Sequence, residues 1–185
     1  VSLIELVVFV VVVSASVAGV LIAIDRAATG SADPLVIKQA LAIAEGLLEE
    51  VELMPFTFCD PDDAQSTTAT SPTIGATGCA TVIEGIGPEA GETRYSASTP
   101  FDNVNDYNGY DSATEGGIRD ITNTLITEVA AYRATIAVAP VALGGIASTD
   151  ANGQANVLLI TVTVTGPANT TVVLNGYRTK YSPRI

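Results

Sequence analysis

Val1-Ser2-Leu3-Ile4-Glu5-Leu6-Val7-Val8-Phe9-Val10 opens the chain, and an apolar run continues through residue 24. Residues 6–24 include no charged side chain and only two polar ones, Ser14 and Ser16. At about 1.5 Å per residue, a helix of this length matches the ~30 Å of hydrocarbon in a bilayer. Glu5 sits just inside its N-terminal end. A lone acid at that depth costs about 2.5–3.5 kcal/mol on insertion scales, and such residues usually have a partner. A core helix is a poor alternative, because 185 residues cannot wrap five turns that are apolar all round. A plain membrane anchor does not need the carboxylate. The first residue is Val and no basic segment precedes the apolar run, so the numbering is expected to be that of a processed chain.

Leu3-Ile4-Glu5-Leu6, followed by a Val-rich apolar helix, resembles the mature N-terminus of type IV pilins and type II secretion pseudopilins. The resemblance implies a leader cut before Val1 by a prepilin peptidase, and N-methylation of the new amine. It also implies that Glu5 compensates the Val1 amine of a neighbouring copy during assembly. That role is physically reasonable, since two opposite charges leaving water are tolerated only when each compensates the other. Val1 and Ser2 stand where the family usually has Phe and Thr. Ser14 and Ile22 stand where many pilins have Gly and Pro, leaving Gly19 as the weak point of the helix. Further along, several stretches look most like the MSHA (mannose-sensitive haemagglutinin) pilins. They are Ala42-Ile43-Ala44-Glu45, Leu48-Glu49-Glu50, Pro55-Phe56, Phe101-Asp102-Asn103-Val104-Asn105-Asp106-Tyr107 and Gly176-Tyr177-Arg178.

Eight basic against twenty acidic residues give a formal charge of −12, which argues against a nucleic-acid partner. The absence of His removes His-based catalysis and His-rich metal sites. Cys59 and Cys79, in an exported chain, read as one disulfide closing a loop of about twenty residues, worth roughly 3 kcal/mol in the chain-entropy model. Two cysteines without His fall short of a four-ligand metal set.

Asp25 and Arg26 end the apolar run, and Gly30-Ser31-Ala32-Asp33-Pro34 is the first punctuation. Asp33 as N-cap with Pro34 at the first helical position predicts a second helix over 35–53, so that the long helix is broken or kinked near 30–34. Val36, Ala40, Ile43, Leu47, Val51 and Met54 recur at spacings of three and four and mark a buried face. Lys38, Glu45, Glu49 and Glu52 fall opposite, and Pro55 stops the helix. The acidic cluster over 45–52 reads as a solvated or subunit-facing stripe in preference to a cation site.

Residues 56–112 are rich in Thr, Ser, Gly, Pro and Asp and show no helical period. So long an irregular region is usually functional or surface-forming. Asp102, Asn105, Asp106, Asn108 and Asp111 crowd around Gly109, while Asp60, Asp62 and Asp63 form a second group. Such loops supply calcium with oxygen ligands, and Asp102, Asp106 and Asp111 are the first choices here. The spacing misses the EF-hand pattern, and the competing reading is that Asp and Asn make turns. Residues 118–131 are left open as a short helix or a strand.

Three antiparallel strands are then predicted. Tyr132, Ala134, Ile136 and Val138 alternate with polar or small residues; 157–165 and 171–180 alternate likewise. Turn clusters at Asp150-Ala151-Asn152-Gly153 and Gly166-Pro167-Ala168-Asn169 separate them. No phosphate loop, nucleophile elbow or metalloprotease helix is present, so no enzyme activity is expected.

The expectation is an α+β fold with a long N-terminal helix on an antiparallel sheet. Residues 1–33 form the transmembrane and filament-core segment. Residues 34–185 form the head, divided into a helical half (34–54), a disulfide-containing variable loop (55–112) and the sheet (113–185). Together with the resemblance, this implies a homo-oligomeric, extracellular type IV pilus-like filament serving adhesion or motility. The subunit would wait in the inner membrane and be handled by pilus assembly machinery. The alternative is a minor pilin or pseudopilin that primes a short pseudopilus.

Overall fold

The computed structural model describes residues 2–180, apart from the side chains of 27–33. The chain divides into two units, Val1–Gln39 and Ala40–Ile185. Helix α1 covers Leu3–Glu52, so the first unit contributes helix alone and the second begins with the last turns of α1.

Within the first unit, Leu3–Arg26 forms a continuous apolar stretch of mean hydropathy 2.9, none of it buried against the rest of the chain. It is long and apolar enough to cross a membrane. Between Glu5 and Asp25 its two polar side chains turn inward on the backbone: Ser14 Oγ donates to the Val10 carbonyl at 2.7 Å and Ser16 Oγ to the Val12 carbonyl at 2.8 Å. The surface offered outward is thus almost purely hydrocarbon, which is what lipid or an apolar neighbour requires.

The predicted second start at 35 is not observed. Pro34 lies inside α1, which continues to Glu52. The proposed N-cap Asp33 and the rest of the 30–33 punctuation have side chains outside the described residues. Pro34 carries no N–H and removes one bond from the helical ladder, yet the helix runs through it. The helix formers that follow over 35–48, with Ala40, Ala42 and Ala44 among them, support it on the C-terminal side.

In the second unit, Ala40, Ala44, Leu47 and Val51 are the buried stripe of α1, one helical face at spacings of three and four. Lys38, Glu45, Glu49 and Glu52 are exposed, as the sequence pattern indicates. The Leu53 N–H donates to the Glu49 carbonyl and the Met54 N–H to that of Val51, tightening the last turn before Pro55.

Strands β1 (Arg133–Pro140), β2 (Val157–Thr165) and β3 (Thr171–Thr179) form an antiparallel sheet in the order β1-β2-β3. Ile136 faces Val162 and Val162 faces Leu174 across the ladder. Ala134, Ile136, Val138, Ile160, Val162 and Val164 are buried, while Val173, Asn175, Tyr177 and Thr179 face outward. This period-two pattern lays one apolar face against α1. Gly176 marks the contact: a Cβ there would collide with Leu48 and Glu52 side chains of α1. Beside it, Arg178 Nη2 donates to the Met54 carbonyl at 2.8 Å. Residues 118–131 are neither helix nor strand; an isolated bridge joins Arg119 to Leu125, and a 3-10 turn covers Thr127–Val129.

The region between α1 and the sheet is irregular but far from superficial. Short 3-10 turns cover Val104–Tyr107 and Ser112–Glu115. Asn103, Val104, Asn105, Asp106 and Tyr107 are all buried, so part of the expected surface loop is core. Asn103 Oδ1 accepts from the Val104 N–H, and Asn103 Nδ2 donates to Thr57 Oγ1 at 2.8 Å. Polar side chains are used here to satisfy backbone groups that no regular element would pair.

Cys59 and Cys79 are joined, with Cα atoms 5.4 Å apart. Both sulfurs are buried with Ala69, and Phe58 packs beside them. Inside the disulfide loop, Gly78 passes so close to the Thr73 carbonyl that a Cβ would overlap it. Asp63 organises the same loop. Its Oδ1 accepts from the Ala80 N–H at 2.9 Å and the Gln65 N–H at 2.8 Å, and its Oδ2 from Thr81 and Val82 N–H groups and the Thr81 hydroxyl. The Ala80 hydrogen bond, then that of Gln65, hold the carboxyl well below the usual carboxylate range. Because the folded-state value is depressed, this stabilisation is complete above the unfolded-state pKa and is lost as pH falls through the folded one. Replacing Asp63 by Ala is therefore expected to lower stability at pH 7 and to flatten its decline between about pH 4 and pH 2. Denaturant midpoints of the two proteins across that range measure it. Parallel curves would show that Asp63 does not carry the linkage.

Candidate functional site

Glu5 lies in the first turn of α1 and is exposed. The Ser2 backbone N–H donates to Glu5 Oε2 at 3.3 Å, and Ser2 Oγ accepts from the Ile4 N–H at 3.3 Å. A helix N-terminus leaves N–H groups free and favours a negative charge. One long hydrogen bond does not neutralise a carboxylate in hydrocarbon, however. Among the described residues no cation forms an ion pair with Glu5. Val1, the other residue expected to act in assembly, lies outside the described residues. What Leu3–Arg26 presents is an exposed apolar cylinder with one charge near its start. Such a surface suits lipid or an apolar partner. The disulfide in the head fits an oxidising compartment outside the cytoplasm.

In the head, the three expected calcium ligands do not gather into one group of acids. Asp111 caps the turn Ser112–Glu115 through the Ala113 N–H and pairs with Arg133, whose Nε donates to Asp111 Oδ1 at 2.9 Å. The Arg133 hydrogen bond holds its carboxyl at about 2. Asp106 is buried, and its Oδ2 accepts from the N–H groups of Asp102 at 2.9 Å and Asn103 at 2.7 Å. Asp102 is half-buried and is pushed up to about 7 by burial and then by the charge of Asp106. The groupings that do form are different. One oxygen each from Asp60, Asp62 and Asp102 lies within 4.8 Å of the others, and the same holds for Glu84, Glu89 and Asp106. The crowding seen in the sequence is real but is divided among three local tasks.

The acidic stripe of α1 is solvated at Glu45, Glu49 and Glu52 but not at Glu50. Arg94, from the loop region, is 9% exposed and meets Glu50 through two parallel contacts: Nε to Oε1 at 2.7 Å and Nη2 to Oε2 at 2.5 Å. The Tyr107 hydroxyl donates to the same Glu50 Oε1 at 2.8 Å. Arg94 Nη1 donates to the hydroxyls of Tyr95 and Tyr110, and its guanidinium lies 4.8 Å and 5.3 Å from their ring centroids. Burial works against the charge, but the hydrogen bonds and charge of Glu50 outweigh it and raise the guanidinium pKa further. The pair joins residues 44 apart in sequence, so no local pattern announces it. The only available hint is a lone Arg in a Thr-rich acidic loop.

At the end of β3, Lys180 sits with its Nζ 3.9 Å from the Phe58 ring centroid and 4.8 Å from that of Phe56. Burial pushes its pKa down to about 8. This cation–π contact ties the sheet to the start of the disulfide loop. No protein-family model, no curated protein and no solved structure matches the chain.

Proposed function

We propose that this chain is a structural subunit of an extracellular filament of the type IV pilus class, held in the inner membrane before assembly. The observation that carries the reading is the exposed apolar helix Leu3–Arg26 with Glu5 near its start, joined to a disulfide-bonded α+β head. An apolar cylinder of this length gains about 25 cal/mol for each Å² covered when it packs against copies of itself. Glu5 of one copy and the Val1 amine of another would set the register between them. The head loops and the outer face of β3 would form the filament surface and carry adhesion or attachment. The role is structural, without catalysis, and the other partners are the peptidase and assembly machinery.

Shearing cells, pelleting the surface filaments and weighing their subunits intact tests this. The expected result is a dominant species that begins at Val1, carries one added methyl group and retains the Cys59–Cys79 bond. A trace signal in the filaments would assign the chain to a priming role as a minor pilin or pseudopilin. Its absence from sheared material, with all of it in the envelope, would overturn the filament reading.

A further inference from the structure

Glu84, Glu89 and Asp106 come from two segments, the loop 84–89 and the turn Val104–Tyr107, and gather one oxygen each within 4.8 Å of one another. The protein holds each carboxylate by one side. Asn105 Nδ2 donates to Glu84 Oε1 at 2.6 Å, backbone N–H groups occupy Asp106 Oδ2, and the Gly85 N–H reaches Glu89 Oε1 at 3.4 Å. The other side is left open: Glu84 Oε2 and Asp106 Oδ1 are buried with no donor. Asn105, which is not an acid, likewise leaves its Oδ1 buried and unpartnered. Glu84, Asn105 and Asp106 are 4%, 2% and 1% exposed, so bulk water does not solvate these three oxygens. Buried acceptors in native proteins are almost always satisfied.

The charges around them deepen the deficit. Burial first, eased by the Asn105 hydrogen bond, and then the charges of Asp106, Glu89 and Asp60 push the Glu84 carboxyl upward. Glu92 faces the group as well, with its Oε2 accepting from the Glu89 N–H. Arg94 is engaged with Glu50, and Lys180, whose charge reaches Glu84, lies on the Phe58 ring; neither forms an ion pair with the group. A proton held between Glu84 and Asp106 would join these two oxygens and still leave the Asn105 oxygen open. A metal ion among the three carboxylates would satisfy Glu84 and Asp106 without that proton, and Asn105, adjacent in sequence to Asp106, could turn its oxygen to the same ion.

We propose that Glu84, Glu89, Asp106 and the Asn105 side-chain oxygen form a binding site for a hard divalent cation of the calcium class. The donors are all oxygen, which disfavours zinc and other softer metals. Calcium accepts six to eight oxygens in irregular geometry, whereas magnesium demands a near-octahedral shell and keeps its waters. A cavity of about 200 Å³, lined in part by Glu84, Gly85, Asn105 and Gln154, adjoins the group and has room for waters that complete the shell. The bound ion ties the loop 84–89 to the buried turn, fastening a part of the head that has no regular secondary structure. This inference does not depend on the filament reading.

The test is calorimetric titration and thermal melting of the full chain in detergent micelles, stripped with chelator and then given calcium chloride. Expected are one calcium per chain, with a Kd on the order of 0.1 mM, and a melting temperature raised by about 5–10 °C at hundredfold excess. Glu89→Gln, at a half-buried loop position, should fold normally and weaken binding at least tenfold. Glu84→Gln and Asp106→Asn should abolish the calcium-dependent rise. Four results would overturn the site. They are no saturable binding, an equal effect of magnesium at the same concentration, binding that survives in Glu84→Gln, or binding lost instead with Asp60→Asn and Asp62→Asn.

Discussion

Glu5→Leu is expected to leave the chain folded and membrane-inserted while filaments fall below detection in sheared material. The substitution removes a charge that costs about 2.5–3.5 kcal/mol to place in hydrocarbon, so insertion should if anything improve. The head should not depend on it, because the Glu5 side chain is exposed and its hydrogen bond is with Ser2. In the assembled state the balance reverses. Removing one partner of a desolvated ion pair costs about 3–5 kcal/mol, on the order of 10² to 10⁴-fold per subunit added. Glu5→Gln separates charge from shape, since an amide keeps the size and can still accept from the Ser2 N–H. If Glu5→Gln cells make filaments at the normal level, charge compensation is not what sets the register. Immunoblots of membrane and sheared fractions read both arms of the experiment.

The second large effect is expected at Arg94. Arg94→Met removes the cation and leaves the Glu50 carboxylate, whose side chain is 13% exposed, with only the Tyr107 hydroxyl as a donor from this network. Stability of the head should fall by about 3–5 kcal/mol, the cost of stranding a buried charge. The hydroxyls of Tyr95 and Tyr110 lose their common partner at the same time. Arg94→Lys should recover only part of the loss, since an ammonium cannot make two parallel contacts. The double variant Glu50→Leu with Arg94→Met should lie much closer to the parent, because both ends of the pair leave together. Urea unfolding in micelles, followed by tyrosine fluorescence, measures all three. An Arg94→Met protein within about 0.5 kcal/mol of the parent would mean that water reaches Glu50 and that the pair is peripheral.

The cation site and the Asp63 clamp bear on one problem, which is how a head with three strands and part of one helix among its described residues orders the chain between them. Regular ladders are absent over most of that stretch, so carboxylates perform the work of secondary structure. Asp63 gathers backbone donors around the disulfide, Asp106 fixes the turn Val104–Tyr107, and Asp111 starts the turn after it. The high acid count of the chain is therefore not only surface charge. Part of it is structural.

The apolar helix, the three strands and the disulfide were legible without coordinates because each is written in a local or compositional signal. A run of nineteen residues without a charge permits few environments, and alternation with period two names the buried face of a strand before any partner is known. Two cysteines in an exported chain have one intramolecular pairing. The stripe Ala40, Leu47 and Val51 was visible for the same reason, although the burial of Ala44 and Glu50 was not. Of the break or kink expected near Pro34, a break does not occur, since α1 runs through a residue that ordinarily ends a helix. Tertiary structure alone decided the use of the acidic residues. Whether an Asp caps a turn, pairs with an Arg or faces two other carboxylates depends on what is folded against it. Glu50 finds Arg94 across 44 residues, and Glu84 finds Asp106 through a loop and a turn that share no sequence period. Apolar burial follows from the side chain's own chemistry, but the role of a charge is set by its neighbours, and those are assigned only when the chain closes on itself.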